Sequence, residues 1–154
     1  MTVSWSWRPF AELSTDDLYD ALKLRQRVFV LEQSCLYLDL DGLDRACWHG
    51  LGYLNDGPLA AYARIVPPPL KFAGPSIGRV VTAPELRGRG LGVDLMSRAI
   101  DETRRLFPSQ TIYIAAQAHL EAFYRRFGFA STGPPYDDDG ILHVDMTIVA
   151  SPVR

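Results

Sequence analysis

At 154 residues the chain is the size of one domain, and no linker, repeat or low-complexity stretch divides it, so residues 1–154 are expected to fold as a single domain. Its 47% apolar and 22% charged residues suit a globular protein that builds its core without disulfides or metal, and Cys35 and Cys47 are too few for a disulfide scaffold or a four-ligand zinc site. A formal charge of −2 argues against nucleic acid as the main partner, and with no apolar leader or bilayer-length run in view a cytoplasmic location and no membrane association are expected.

Val3 to Arg8 alternates, with Val3, Trp5 and Trp7 on one face, and reads as a first strand. Ser14-Thr15-Asp16-Asp17 is a helix start, with a capping hydroxyl and two carboxylates at the positive end of the dipole. Leu18, Leu22, Arg25 and Phe29 follow at helical spacing, and the helix is expected to end near Val30. Glu32 to Asp44 is irregular and acidic. Its Asp39, Asp41 and Asp44 faintly resemble a calcium loop, but the acidic spacing and terminal Glu are missing, so no metal site is expected. Trp48–Leu54 and Leu59–Val66 form a hairpin around the turn Asn55-Asp56-Gly57-Pro58. Ile77–Ala83 is a fourth strand. A loop with Gly88, Gly90 and Gly92 leads into a helix carrying Leu91, Leu95, Ala99 and Leu106, stopped by Pro108. Thr111–Ala116 is a short buried strand. Leu120, Phe123, Tyr124 and Phe127 mark another helix, closed by Gly128. Phe129–Thr132 and Leu142–Val149 are the last strands, with Asp137-Asp138-Asp139 between them as a solvated acidic turn. This order predicts an α/β (α+β) fold: a mixed, largely antiparallel sheet with helices on both faces.

The strand ending near Ala83, the run Arg87-Gly88-Arg89-Gly90-Leu91-Gly92 and the helix after it form the informative unit. A helix N-terminus offers unpaired N–H groups and partial positive charge, and glycines let an anion approach that backbone closely. Arg87 and Arg89 add charge, so the expected ligand carries phosphate. There is no Gly-Lys-Ser/Thr of a P-loop, and the glycine spacing is wrong for a dinucleotide fingerprint.

Arg87-x-x-Gly90-x-Gly92, after a strand and Pro84, resembles the acetyl-CoA motif of the GNAT N-acetyltransferases, and the order of elements is similar to that fold over nearly the whole chain. Phe29-Val30-Leu31-Glu32-Gln33, Ile77-Gly78-Arg79-Val80, Ala116-Gln117-Ala118-His119-Leu120 and Asp139-Gly140-Ile141-Leu142-His143 resemble segments of the family's ElaA-like branch. The resemblance implies an enzyme that moves an acetyl group from acetyl-CoA to a primary amine, on a small molecule or a peptide, as a monomer or homodimer. It implies that the backbone of Val80, Val81 and Thr82 pairs with the pantetheine arm as an added pseudo-strand. It implies that amides of Arg87, Gly88, Arg89, Gly90, Leu91, Gly92 and Val93 hold the pyrophosphate, and that the thioester lies where the fourth and fifth strands splay apart. Gln117 falls where many relatives carry an Asn that touches the cofactor.

Tyr124 takes the place of the family's general acid, protonating the departing sulfur, for which a phenol pKa near 10 is well matched. The acceptor ammonium must lose a proton, and His143 and Glu32 are the leading bases, with His49, His119 and Asp139 as others. Arg25, Arg64 and Arg79 within apolar elements are either buried partners for carboxylates or acceptor-site residues. If the acidic segments flank the acceptor groove, they favour a cationic acceptor. A non-catalytic acyl-CoA-binding module is the alternative, since it would keep the glycine loop without needing Tyr124.

Overall fold

The computed structural model describes residues 1–150. Eight strands form one sheet in the order β1-β2-β3-β4-β5-β8-β6, with β7 paired to β8. They are β1 (Val3–Pro9), β2 (Trp48–Leu54), β3 (Leu59–Val66), β4 (Ser76–Thr82), β5 (Ile112–Gln117), β6 (Ala130–Ser131), β7 (Tyr136–Asp138) and β8 (Ile141–Ile148). The helices are α1 (Thr15–Arg25), α2 (Leu91–Leu106) and α3 (Glu121–Arg125). Every pairing is antiparallel except that of β4 with β5.

The two long helices lie on opposite faces, as side-chain alternation along β2 shows. Tyr53 donates to Asp17 and Asp20 of α1, at 3.0 and 2.8 Å. Trp48, on the other face, packs edge-on against Phe107 at the end of α2, and the Arg98 guanidinium of α2 covers Trp5. Gly50 and Gly52 share that second face because a Cβ there would lie 2.3 Å from the Trp7 ring or 2.7 Å from Trp5. The indoles occupy the space that strand side chains would fill. On α2, Leu91, Leu95, Met96, Ala99 and Ile100 are buried against the sheet, the stripe read from the sequence.

Local signals hold at several ends. Ser14 Oγ accepts from the Asp17 amide at 3.0 Å, capping α1, and Gly128 follows α3 with φ +99. The first helix differs from expectation at its end. Past Arg25 it widens into π-helix over Gln26–Glu32 rather than ending near Val30, which shifts the facing of Val28 to Gln33 relative to α1. The acidic run is also not a plain turn. Asp137 and Asp138 belong to β7, paired with Leu142 and Ile141, and only Asp139 and Gly140 turn, both at positive φ.

The gap that positions the site follows from β4. Parallel pairing to β5 is confined to Ser76 with Tyr113, after which the strands diverge. The β3–β4 register slips between Tyr62 and Arg64, where Arg79 takes φ +51. That bulge turns β4 away from a regular ladder just beside the opening.

Candidate active site

Two cavities lie along the diverging β4. The larger, about 740 Å³, runs from Val80, Val81 and Thr82 past the glycine loop to α3. The smaller, about 110 Å³, lies between Ile77–Val80 and Ile114, Ala115 and Gln117 of β5. Gln33, Val80, Leu120 and Tyr124 wall both, so they meet at Tyr124.

The loop supplies the larger cavity with backbone donors. Gly88 and Gly90 have φ +80 and +77, where a side chain is strained. Gly90 caps α2 with no side-chain hydrogen bond, and the first intrahelical bond runs from Asp94 N to Gly90 O at 3.1 Å. The amides of Leu91, Gly92 and Val93 therefore have no helical partner, and these residues line the cavity. Arg87 and Gly88 line it too. The Arg89 side chain instead borders a separate depression beside Trp5, Asp94 and Arg98.

Tyr124 is 8% exposed and packed edge-on by Phe123 and Phe129. Among the described residues its hydroxyl has no hydrogen-bond partner, although it is walled by both cavities. Burial pushes the phenol up to about 12. The sequence expectation of a value near 10 is thereby corrected: the apolar ring cage holds the proton on oxygen across the neutral and mildly alkaline range.

His143 lines the smaller cavity opposite Gln117 in the β5–β8 ladder. Its Nδ1 lies 2.8 Å from the Ile141 carbonyl, which can only accept, so Nδ1 carries hydrogen and in the neutral ring the lone pair is on Nε2. The Tyr136 ring stacks on it. Glu32 lines the larger cavity but pairs with Arg87 at 2.6 Å, on the glycine-loop side. Gln117 Nε2 donates to Gln33 Oε1 at 2.9 Å, bridging β5 to the end of the first helix. His119 lines the larger cavity, and Asp139 sits at the tip of the β7–β8 hairpin. His49 is a correction. It is buried with Nε2 donating to the Asp44 carbonyl at 2.8 Å and Nδ1 accepting from Tyr62 at 2.7 Å, and it borders neither cavity.

The three arginines find carboxylates. Arg25 donates from Nε to Asp39 at 2.9 Å and from Nη1 to Asp44 at 2.8 Å. Arg64 holds Asp41 at 2.5 Å and Asp44 at 2.9 Å. Arg79 Nε lies 2.8 Å from Asp39. Asp39, Asp41 and Asp44 are thus paired internally and line neither cavity, so this segment offers no free carboxylate to a cationic acceptor. Among the described residues no group of three or more metal-ligating side chains stands together, and no helix is long and apolar enough to cross a membrane.

Sequence reasoning passed over Gln33, Phe123 and Arg126 as lining residues. Glu32 carries an ionisable group that marks it in the sequence, whereas its neutral neighbour Gln33 carries none. The π-helical end that turns Gln33 inward leaves no pattern in the sequence.

A sheet splayed at one parallel pair, with an uncapped helix start facing the gap, defines a class already suggested by the glycine motif. The GNAT acetyltransferase domain family matches residues 49–150, and the chain belongs to that family. Within it the similarity runs to protein ElaA of Escherichia coli, 41% identical over 146 residues that make up 94% of this chain and 95% of ElaA. A UPF0039 protein of Synechocystis is 45% identical over 152 residues, 99% of each chain. The crystal structure of an acyl-CoA N-acyltransferase from Pseudomonas aeruginosa matches at TM-score 0.90 and 40% identity, over 95% of this chain and 99% of that one. That of E. coli ElaA matches at TM-score 0.89 and 40% identity with the same coverage.

Proposed function

We propose that the protein transfers an acetyl group from acetyl-CoA to a primary amine by direct attack, with Tyr124 as general acid. The observation that carries this reading is Tyr124: its ring is packed and its hydroxyl, without a protein partner among the described residues, stands where the two cavities meet. A phenol whose ring is packed while its hydroxyl, free of any protein partner, lines the cavities is placed to hydrogen-bond a bound ligand, a use that a binding module would not require. The uncapped amides of Leu91, Gly92 and Val93 and the left-handed Gly88 and Gly90 fit a pyrophosphate. Val80, Val81 and Thr82 along the cavity suit the pantetheine arm.

Acetyl-CoA would supply the thioester: the amine nitrogen bonds to its carbonyl carbon, the carbon–sulfur bond breaks, and the sulfur leaves as a thiol. Tyr124 Oη holds the proton for that sulfur. The amine proton passes to His143 Nε2, whose tautomer is fixed by the Ile141 carbonyl. Glu32 serves better as the partner that orients Arg87 at the loop than as the base. The Gln33–Gln117 amide bridge stands at the boundary between donor and acceptor sides.

The test is thiol release from acetyl-CoA with a panel of primary amines, alongside thermal stabilisation by coenzyme A, ATP and NAD. Stabilisation by coenzyme A alone and amine-dependent thiol release are expected. Stabilisation without release by any amine would return the protein to a binding module.

A further inference from the structure

We propose that the amine acceptor carries a carboxylate or similarly compact anionic group beside its nitrogen, held by Arg79 in the smaller cavity; this rests on the acetyltransferase reading above. Arg79 and His143 are the charged or titratable side chains with basic character on that cavity, and among its described lining residues there is no Asp or Glu. The nearby acids are committed elsewhere. Asp39 is shared between Arg25 and Arg79, and Asp41 and Asp44 are held by Arg64, with Arg25 also on Asp44. Three guanidiniums face three carboxylates, so the cluster is neutral as a whole and offers no spare negative charge to an ammonium.

Arg79 is the member of that cluster that reaches the cavity. Its Nη2 donates to the Asp39 carbonyl at 3.1 Å and approaches Asp41 at 3.5 Å. Its Nε lies close to Asp39 but out of line for a hydrogen bond, and Nη1 has no partner among the described residues. The left-handed bulge at φ +51 and the Tyr37 ring, 5.8 Å from the guanidinium, fix where the side chain lies. A guanidinium held in place with free N–H bonds is a ready carboxylate receptor. The remaining walls, Ile77, Ile114 and Ala115, are apolar, and about 110 Å³ admits only a compact end of an acceptor. Across the cavity His143 Nε2 is left to meet the amine. The acidic hairpin residues Asp137–Asp139 are exposed and line neither cavity, and water screens them. A polyamine would set its second cation against Arg79.

The experiment compares the common amino acids, their carboxamides and their decarboxylated amines as acceptors, by kcat/KM for thiol release from acetyl-CoA. The best amino acid is expected to exceed its own carboxamide and decarboxylated amine by about ten- to a hundredfold, mostly through KM. Arg79→Gln should erase that preference and Arg79→Lys should keep part of it. Coenzyme A affinity, measured by calorimetry, should stay within about threefold of wild type in both variants, which shows them folded. Equal rates for acid and amide, a faster amide or polyamine, or a preference that survives Arg79→Gln overturns the proposal. So does failure of every amino acid to react or to stabilise the coenzyme A complex. If coenzyme A still binds and another amine reacts, the acetyltransferase reading stands without it.

Discussion

Tyr124 and Gly90 carry the single-residue consequences. The Tyr124 ring is caged by Phe123 and Phe129, while its hydroxyl bonds to no described protein group. Removing the hydroxyl therefore costs the fold little. Tyr124→Phe is expected to lower kcat by about ten- to a thousandfold, with acetyl-CoA affinity and melting temperature near wild type. Normal turnover would leave Tyr124 a packing residue. Because burial raises the phenol to about 12, its proton is not lost at mildly alkaline pH. The wild-type rate should show no alkaline fall traceable to Tyr124 below that value, and a Tyr124-dependent fall between pH 8 and 10 would contradict the burial. Gly90 and Gly92 separate by conformation. Gly90 sits at φ +77, whereas a Cβ on helical Gly92 would meet Phe123 at an ordinary 3.6 Å. Gly92→Ala should keep the fold and coenzyme A binding within a few fold. Gly90→Glu, which adds strain and an anion at the loop, should abolish binding, as calorimetry would show. The glycine loop showed itself by spacing as a candidate anion site, whereas Tyr124 was singled out only by the family resemblance. The smaller cavity was not legible, because Arg79, Gln33 and His143 come from three distant segments.

At the scale of elements, the segment between the first helix and β2 has two unlike sides. Leu36 and Leu38 are 91% and 81% exposed, while Asp39 between Leu38 and Leu40 is 6% exposed and bound by Arg25 and Arg79. Buried ion pairs, not apolar packing, hold this loop in place. Asp39→Ala leaves Arg25 short of a carboxylate in the interior and should destabilise the protein by about 3–5 kcal/mol. Leu38→Ser should change stability by no more than about 0.5 kcal/mol. Chemical denaturation of the two variants checks both, and a larger loss from Leu38→Ser would place the loop the other way round. Sequence alone gave the acids and the arginines but not their pairing. Arg64 and Asp41 lie 23 residues apart and meet only because β3 passes beneath the loop. The hairpin turn at Asn55–Gly57 and the Ser14 cap were legible for the opposite reason, since both are satisfied within a few residues. The bulge at Arg79 and the π-helical turn have no local signature, being set by what packs around them.

For the whole molecule, charge burial makes stability fall toward acid pH. Burial alone would raise the Asp41 and Asp44 carboxyls, but Arg64 and Arg25 outweigh it and hold both below the usual range. Burial lowers His49, which stays neutral between Tyr62 and the Asp44 carbonyl. In each case the unfolded chain takes up a proton that the folded protein refuses, so stability drops as pH falls. The melting temperature should decline first below the ordinary imidazole value of about 6.5, through His49, and again below about 4, through the carboxylates. His49→Gln should remove the first decline, whatever its effect on stability at neutral pH; a first decline of unchanged size would assign it to another group. The overall sheet and its helices on both faces were legible because hydrophobic period and turn chemistry are written along the chain. The splay of β4 from β5 was foreseen only through the family resemblance, since it depends on where parallel pairing stops at Ser76 and Tyr113. That splay, with the glycine loop beside it, is what acyl-CoA binding at this site depends on most. Amide hydrogen exchange with and without coenzyme A tests it directly: slowed exchange is expected at residues 80–82 and 87–93, with β1 and β2 unchanged. Binding that protects other segments and leaves these two untouched would contradict it.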